Sequence, residues 1–327
     1  MELLLKQYRG DVLENVHFGD ICVVDQSKNI VFSYGDINTE TIYRSCSKPL
    51  QVLPLIINGG IETFDLNEKE ITVMCASHKA EDFHISTIEN IMAKANIKES
   101  SLYCPEILPG YVRNPGLNEV KALKARKIYY NCSGKHVGMM LAARLLGYDE
   151  TSYYQKTHPL QQDIIKIIKE FSDFDGEVKI GIDGCGVPVY TVDLKGCAIA
   201  YLKLACPDLI EDDNTKQAVV KVVEAISKYP KYIGGTNTLD DVVNSDTNLI
   251  GKIGAQGLYT IGLKKERLGI CFKMYDGNPS NQAFVLAKVL ERLNYNNQET
   301  INKLYKIRSE HVYNHGKDIV GKREVTF

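Results

Sequence analysis

The chain has 327 residues, of which 44% are hydrophobic and 24% charged, and a net charge of −2. That length gives one large domain or two smaller ones with a full core, and near-neutrality excludes a global field that would draw the chain to nucleic acid or an anionic membrane. No run approaches the ~18 apolar residues of a membrane span. The opening "MELLLKQYRG" has only three successive apolar residues after Glu2, too few for a signal-peptide core, and nine cysteines lie without framework spacing, which points to free thiols in a reducing cytoplasm.

Taken in chain order, "GDICVVDQSKNIVFSYGD" (19–36) predicts two strands joined by a polar turn around Gln26–Asn29. A helical middle follows, with helices expected over 66–76, 81–97, 135–147 and 158–171. In the third, Val137, Met140, Leu141 and Leu145 share a face and Gly147 ends it. Pro159 marks the start of the fourth. "EVKIGIDG" (177–184) predicts a buried strand, and 194–205 and 214–229 predict helices. Strand character returns over 251–263 and 267–277, and a closing helix is expected over 281–294. This order lacks the regular alternation of a parallel sheet. It predicts an α+β fold, a mostly antiparallel sheet flanked by helices. One catalytic domain would span 1–327, with a sheet lobe of about 1–44 and 245–327 and a mainly helical lobe of 45–244. Ligand sites often lie between such lobes.

Five stretches could carry chemistry. In "RSCSKPL" (44–50), a helix starting near Ser45 would put Lys48 on the same face, and Pro49 favours that start. A serine needs a base to become nucleophilic, and a lysine serves once its pKa falls from about 10.4 toward roughly 7–8. Ser-x-x-Lys is the spacing of serine β-lactamases and penicillin-binding proteins; a capping serine beside a surface lysine has the same spacing. "KIGAQG" (252–257) echoes the Lys-Thr-Gly element of those enzymes through Lys252, or is a strand lysine with a glycine bulge. In "CASHKAEDFH" (75–84), Ser77 is either a second hydroxyl in the cleft or an N-cap with Glu81 in the first turn, and His78 suits a structural role. "NCSGKH" (131–136) is no phosphate loop, because Tyr129 and His136 occupy positions that need Gly and Ser or Thr. Cys132 and His136 could instead form a thiol dyad, or Cys132 be a half-buried free cysteine. In "GIDGCGVP" (181–188), glycines surround Asp183 and Cys185. Asp183 could hold an ammonium group or form an Asx-turn.

Together "RSCSKPLQ", "CASHKAED", "YNCSGKHVGM", "HPLQ", "GIDGCGVP" and "KIGAQG" resemble, in that order, the rhizobial-type L-asparaginases of the asparaginase II family. The match spans about residues 10–280, and "NCSGKH" with "DGCG" is its most specific part. The resemblance implies a serine β-lactamase-like fold. It also implies hydrolysis of L-asparagine to L-aspartate and ammonia. A cytoplasmic homodimer with no nucleic-acid or membrane partner is expected. It implies two Ser–Lys pairs, Ser45 with Lys48 and Ser77 with Lys252. Ser45 is favoured as the nucleophile because of its i+3 lysine and its place at a helix start. One zinc per chain would be held by Cys132, Lys135 and Cys185 with water completing the shell. Asp183 would take the substrate amino group, with Arg44 beside the first serine and Gly134, Lys135 and His136 bordering the substrate. Lys79-Ala80 and Gln256 depart from the family pattern, where small residues and Glu are usual, which bears on rim contacts and substrate preference. Glutaminase or other small-amide hydrolysis, a cysteine amidase using Cys132, and a zinc-binding sensor without turnover are the alternatives.

Overall fold

The structure is a computed structural model and describes residues 1–109 and 124–327. Its main sheet draws strands from both ends of the chain. Strands β1 (Glu2–Arg9), β2 (Val12–Asp25) and β3 (Ile30–Tyr34) come first. Strands β4 (Glu40–Ile42), β5 (Ile180–Ile182) and β6 (Pro188–Asp193) form a separate small sheet in the order β4-β6-β5. The chain then returns to the main sheet with β7 (Leu249–Gly254), β8 (Leu258–Leu263), β9 (Leu268–Met274), β10 (His311–Tyr313) and β11 (Ile319–Val325). The order is β10-β11-β1-β2-β9-β8-β7, with β3 also paired to β2, and every pairing is antiparallel. This is the expected α+β class.

The central strands are covered on both faces, which is why "ICVV" in β2 is a continuous apolar run. Ile21 and Val23 join Ile270, Phe272 and the helix Gln282–Arg292 in one core. Cys22, Val24 and Cys271 face the other core, which includes the helix Leu194–Ala205. That helix lies directly on the sheet at Gly262 and Gly269, which pair across β8 and β9. A Cβ there would come within 2.2 Å of the Tyr201 carbonyl oxygen and 2.1 Å of that of Ala198, so only glycine admits this approach.

The expected helices form as Glu68–Met74, Asp82–Lys94, Ser133–Leu145, Pro159–Ser172, Leu194–Ala205 and Asp213–Lys228. Their starts follow local chemistry. Asn67 and Glu70 make a capping box, Pro159 opens its helix, and the Asp193 carboxylate accepts from the Gly196 N–H. One strand is unanticipated and three expectations are corrected. Residues 2–9 form a strand, paired with β2 and β11. The span 251–263 is a hairpin of two strands, turned where Gln256 and Gly257 take positive φ of 63° and 78°. The strand within 177–184 is only three residues long, and Ile182 is exposed. The helix Gln282–Arg292 does not close the chain; a further helix, Gln298–Ile307, and the β10–β11 hairpin follow it. Among the described residues, no helix is long and apolar enough to cross a membrane.

Candidate active site

The chain leaves β4 through Tyr43, whose N–H donates to the Tyr190 carbonyl at 2.8 Å. Arg44 then takes a positive φ of 47°, an uncommon conformation for a residue with a Cβ. It opens a 3-10 turn over Arg44–Ser47 that runs into the short helix Lys48–Gln51, with Pro49 in its first turn. The turn is fastened to β7 and to the helix beneath. The Cys46 thiol donates to the Lys252 carbonyl at 3.1 Å, and the Tyr201 hydroxyl donates to the Cys46 carbonyl at 2.8 Å. Ser45 is half-buried, and Lys48 is only 1% exposed.

Lys48 does not fold back on Ser45. Its Nζ donates to the Ala76 carbonyl and, at 3.0 Å, to the Ser77 hydroxyl. Burial lowers the Lys48 pKa; the Cys132 sulfur opposes this, and the charges of Lys135 and Lys252 add to it. Ser77 is held at a crossing of three segments. Its N–H donates to the Ile233 carbonyl at 2.9 Å, and the next N–H, of His78, donates to that of Asn131 at 3.1 Å. His78 Nδ1 accepts from the Ala80 N–H, so Nε2 carries the proton and donates to the Ser133 hydroxyl at 2.9 Å. His78 is thus the structural histidine its sequence context suited. The N-cap of the helix Asp82–Lys94 is Glu81, not Ser77.

Lys252 pairs with Asp240 instead of Ser77. Among the described residues, no hydrogen bond joins Ser45 to Lys48 or Ser77 to Lys252. The two serine–lysine pairs expected from sequence are replaced by Lys48–Ser77 and Lys252–Asp240. Spacing could not reveal Asp240, which lies in the helix Leu239–Asn244, bolted to β7. A third cluster lies at the start of the helix Ser133–Leu145. Lys135 Nζ donates to the Cys185 sulfur at 3.1 Å and stands 4.0 Å from Asp183, whose other oxygen is 3.1 Å from Arg44 Nη2. The Arg44 Nε is buried without a partner among the described residues. Gly134 packs against the backbone of the helix Glu68–Met74, and His136 is fully buried, its Nδ1 2.7 Å from the Tyr153 hydroxyl.

In sequence, the L-asparaginase II family model matches residues 5–325. The chain belongs to the L-asparaginase II family. No curated protein sequence matches it. Solved structures similar to this family member include a beta-lactamase from Mycobacterium bovis, at 13% identity over 84% of this chain and 94% of that one, with a TM-score of 0.46. A class C beta-lactamase from Rhodobacter sphaeroides, at 12% identity, covers the same shares with the same TM-score. Another class C beta-lactamase is 14% identical over 84% of this chain and 90% of that one, with a TM-score of 0.43.

The sulfur–nitrogen cluster of this L-asparaginase II family member fits a soft metal ion. Cys132, Lys135 and Cys185 are all buried. The hydrogen bond from Cys185 lowers the Cys132 pKa well below the usual thiol value against the cost of burial, and Lys48 and Lys135 help. Sharing that proton pushes Cys185 up. Burial would lower the Lys135 pKa, but the two sulfurs and Asp183 raise it, which favours the ammonium form. A metal at this place would displace protons from sulfur and nitrogen. Among the described residues, no group of three or more His, Cys, Asp and Glu side chains could hold a metal, so the donor set depends on Lys135.

Proposed function

We propose that this protein hydrolyses the side-chain amide of L-asparagine to L-aspartate and ammonia, with Ser77 as nucleophile and Lys48 as its base. The observation that carries the reading is the 3.0 Å hydrogen bond between Lys48 Nζ and Ser77 Oγ, in a chain of the L-asparaginase II family. Burial favours the neutral amine that must take the serine proton. This moves the preferred nucleophile from Ser45 to Ser77, because the lysine expected to serve Ser45 is aimed at the other hydroxyl.

In the proposed sequence, Lys48 takes the Ser77 proton as Oγ bonds to the amide carbon. The carbonyl π electrons move to oxygen, where backbone N–H groups would stabilise the charge. The oxyanion collapses, the C–N bond breaks, and the nitrogen leaves as ammonia with the proton from Lys48. Water then adds to the acyl-enzyme, giving its proton to Lys48, and aspartate departs as that proton returns to Ser77. The paired Arg44 and Asp183 at the rim offer complementary charges to an amino acid's carboxylate and ammonium.

Zinc would be held by Cys132, Lys135 and Cys185, where it would supply a fixed positive charge beside the site. Cys132 also supports a second reading, a cysteine amidase, because its neighbours hold it toward the thiolate form. Ammonia release from asparagine and glutamine by the wild type and by Ser77→Ala, Ser45→Ala and Cys132→Ser tests these readings. Ser77→Ala is expected to lose at least ~10³-fold in kcat, and Ser45→Ala less. The reverse order would restore Ser45 as nucleophile. Activity abolished only in Cys132→Ser would establish the thiol mechanism.

A further inference from the structure

The Lys252–Asp240 pair is the one ion pair among the described residues whose side chains are both fully shielded from solvent. Two buried charges contribute no more stability than a well-packed apolar pair of similar volume, so the fold alone does not account for them. The carboxylate is divided between two tasks. Its Oδ1 accepts from the Ile253 N–H at 2.7 Å, and its Oδ2 accepts from Lys252 Nζ. A second polar clamp lies one turn along the same helix. Asn244 Nδ2 donates to the carbonyls of Asp240 and Gly251, and its Oδ1 accepts from the Gly251 N–H. The helix Leu239–Asn244 is therefore fixed in register with β7 at Gly251, Lys252 and Ile253.

The other side of β7 meets the turn that carries Ser45. The Lys252 carbonyl accepts from the Cys46 thiol at 3.1 Å, and a Cβ at Gly254 would stand 2.9 Å from the same sulfur. Lys252 thus meets Asp240 through its side chain and the Arg44–Ser47 turn through its carbonyl. Asp240 and the Ile253 carbonyl, at 3.3 Å, account for two of its three N–H groups.

We propose that Asp240 is a positioning residue of this active site: its carboxylate anchors the Lys252 ammonium as a stationary cation in the site wall, with one N–H left to engage the reacting groups. The proposal rests on the asparaginase reading for its kinetic consequence but not for its geometry. Asp240→Asn separates the carboxylate's two tasks. The amide oxygen still accepts from Ile253, while the counter-charge to Lys252 is gone.

The kinetic test is a double-mutant cycle. Asp240→Asn is expected to lower kcat for asparagine by about 10²-fold, the scale of a 1 Å misplacement, with KM changed less than about twofold. Lys252→Met should lose at least as much, and the double variant should be no worse than Lys252→Met alone. Multiplying losses would mean that Asp240 acts independently of Lys252, and the proposal would fall. A crystal structure of Asp240→Asn tests the geometry without any turnover. Displacement of Lys252 Nζ by about 1 Å or more, with β7 in place, is the expected result, and an unmoved Nζ overturns the proposal. If the wild type released no ammonia from asparagine, the asparaginase reading would fail, and the crystallographic result would still decide the role of Asp240.

Discussion

Gly134→Ala tests the contact that seats the loop bearing Cys132 and Lys135. A Cβ at Gly134 would lie 2.2 Å from the Val73 carbonyl oxygen and 2.9 Å from its carbon. Reaching ordinary contact requires the helix Ser133–Leu145 to withdraw by roughly 1 Å. Alanine is the better helix former by about 1 kcal/mol, and overpacking against rigid backbone costs about 3 kcal/mol, the upper end of the usual range. The net destabilisation is about 2 kcal/mol, which lowers Tm by roughly 3 °C for a domain of this size. The adjacent Lys135 moves with the helix, so activity should fall by about 10²-fold. Gly138, one turn along, supplies the control. Its added Cβ would meet only the Met74 side chain, at 3.0 to 3.3 Å, and a methionine can turn aside. Gly138→Ala should therefore melt at or slightly above the wild-type temperature with near-normal activity. Thermal melts by circular dichroism and ammonia assays on both variants complete the comparison. A Gly134→Ala protein as stable as Gly138→Ala would refute the reasoning.

Acid should unfold the protein through its buried histidines. Burial lowers the His84 pKa to about 4 and that of His78 well below its ordinary value. Each binds fewer protons folded than unfolded, so its stabilising contribution is complete above about pH 6.5 and is lost as pH falls toward 4, about 3 kcal/mol for His84. Urea midpoints measured from pH 7.5 to 4.5 should fall across that window, and a flat profile would contradict the assignment. For the metal, protein loaded with zinc and desalted should retain one ion per chain by elemental analysis. Cys185→Ser should lose it and Cys271→Ser should not; equal retention in both would remove the Cys132–Lys135–Cys185 site.

The sequence made some of this legible and not the rest. Helices with a strong local start, such as those after Asn67 and Pro159, were readable because their caps lie within four residues. Strand β1 was not, because "ELLLKQYR" takes a partner, β11, from the far end of the chain. The Ser-x-x-Lys spacing correctly marked a helix start at the site but misassigned the lysine's partner. The segment is a 3-10 turn followed by one helical turn, and a long side chain leaving it crosses to the loop after the helix Glu68–Met74. Lys135 and Cys185 were brought together by motif resemblance, and the structure has them in contact. Asp240 had no such signal. Its role arises from the docking of the helix Leu239–Asn244 on β7, a tertiary contact without a sequence pattern.

The most direct measurement is the site of acylation. Wild-type protein mixed with L-asparagine and acid-quenched within the first turnover should carry an aspartyl adduct by intact-protein mass spectrometry. Peptide mapping should place it on Ser77, and Lys48→Met should not accumulate it. An adduct on Ser45 or Cys132, or turnover of asparagine with no covalent adduct under single-turnover conditions, would contradict the Lys48–Ser77 mechanism.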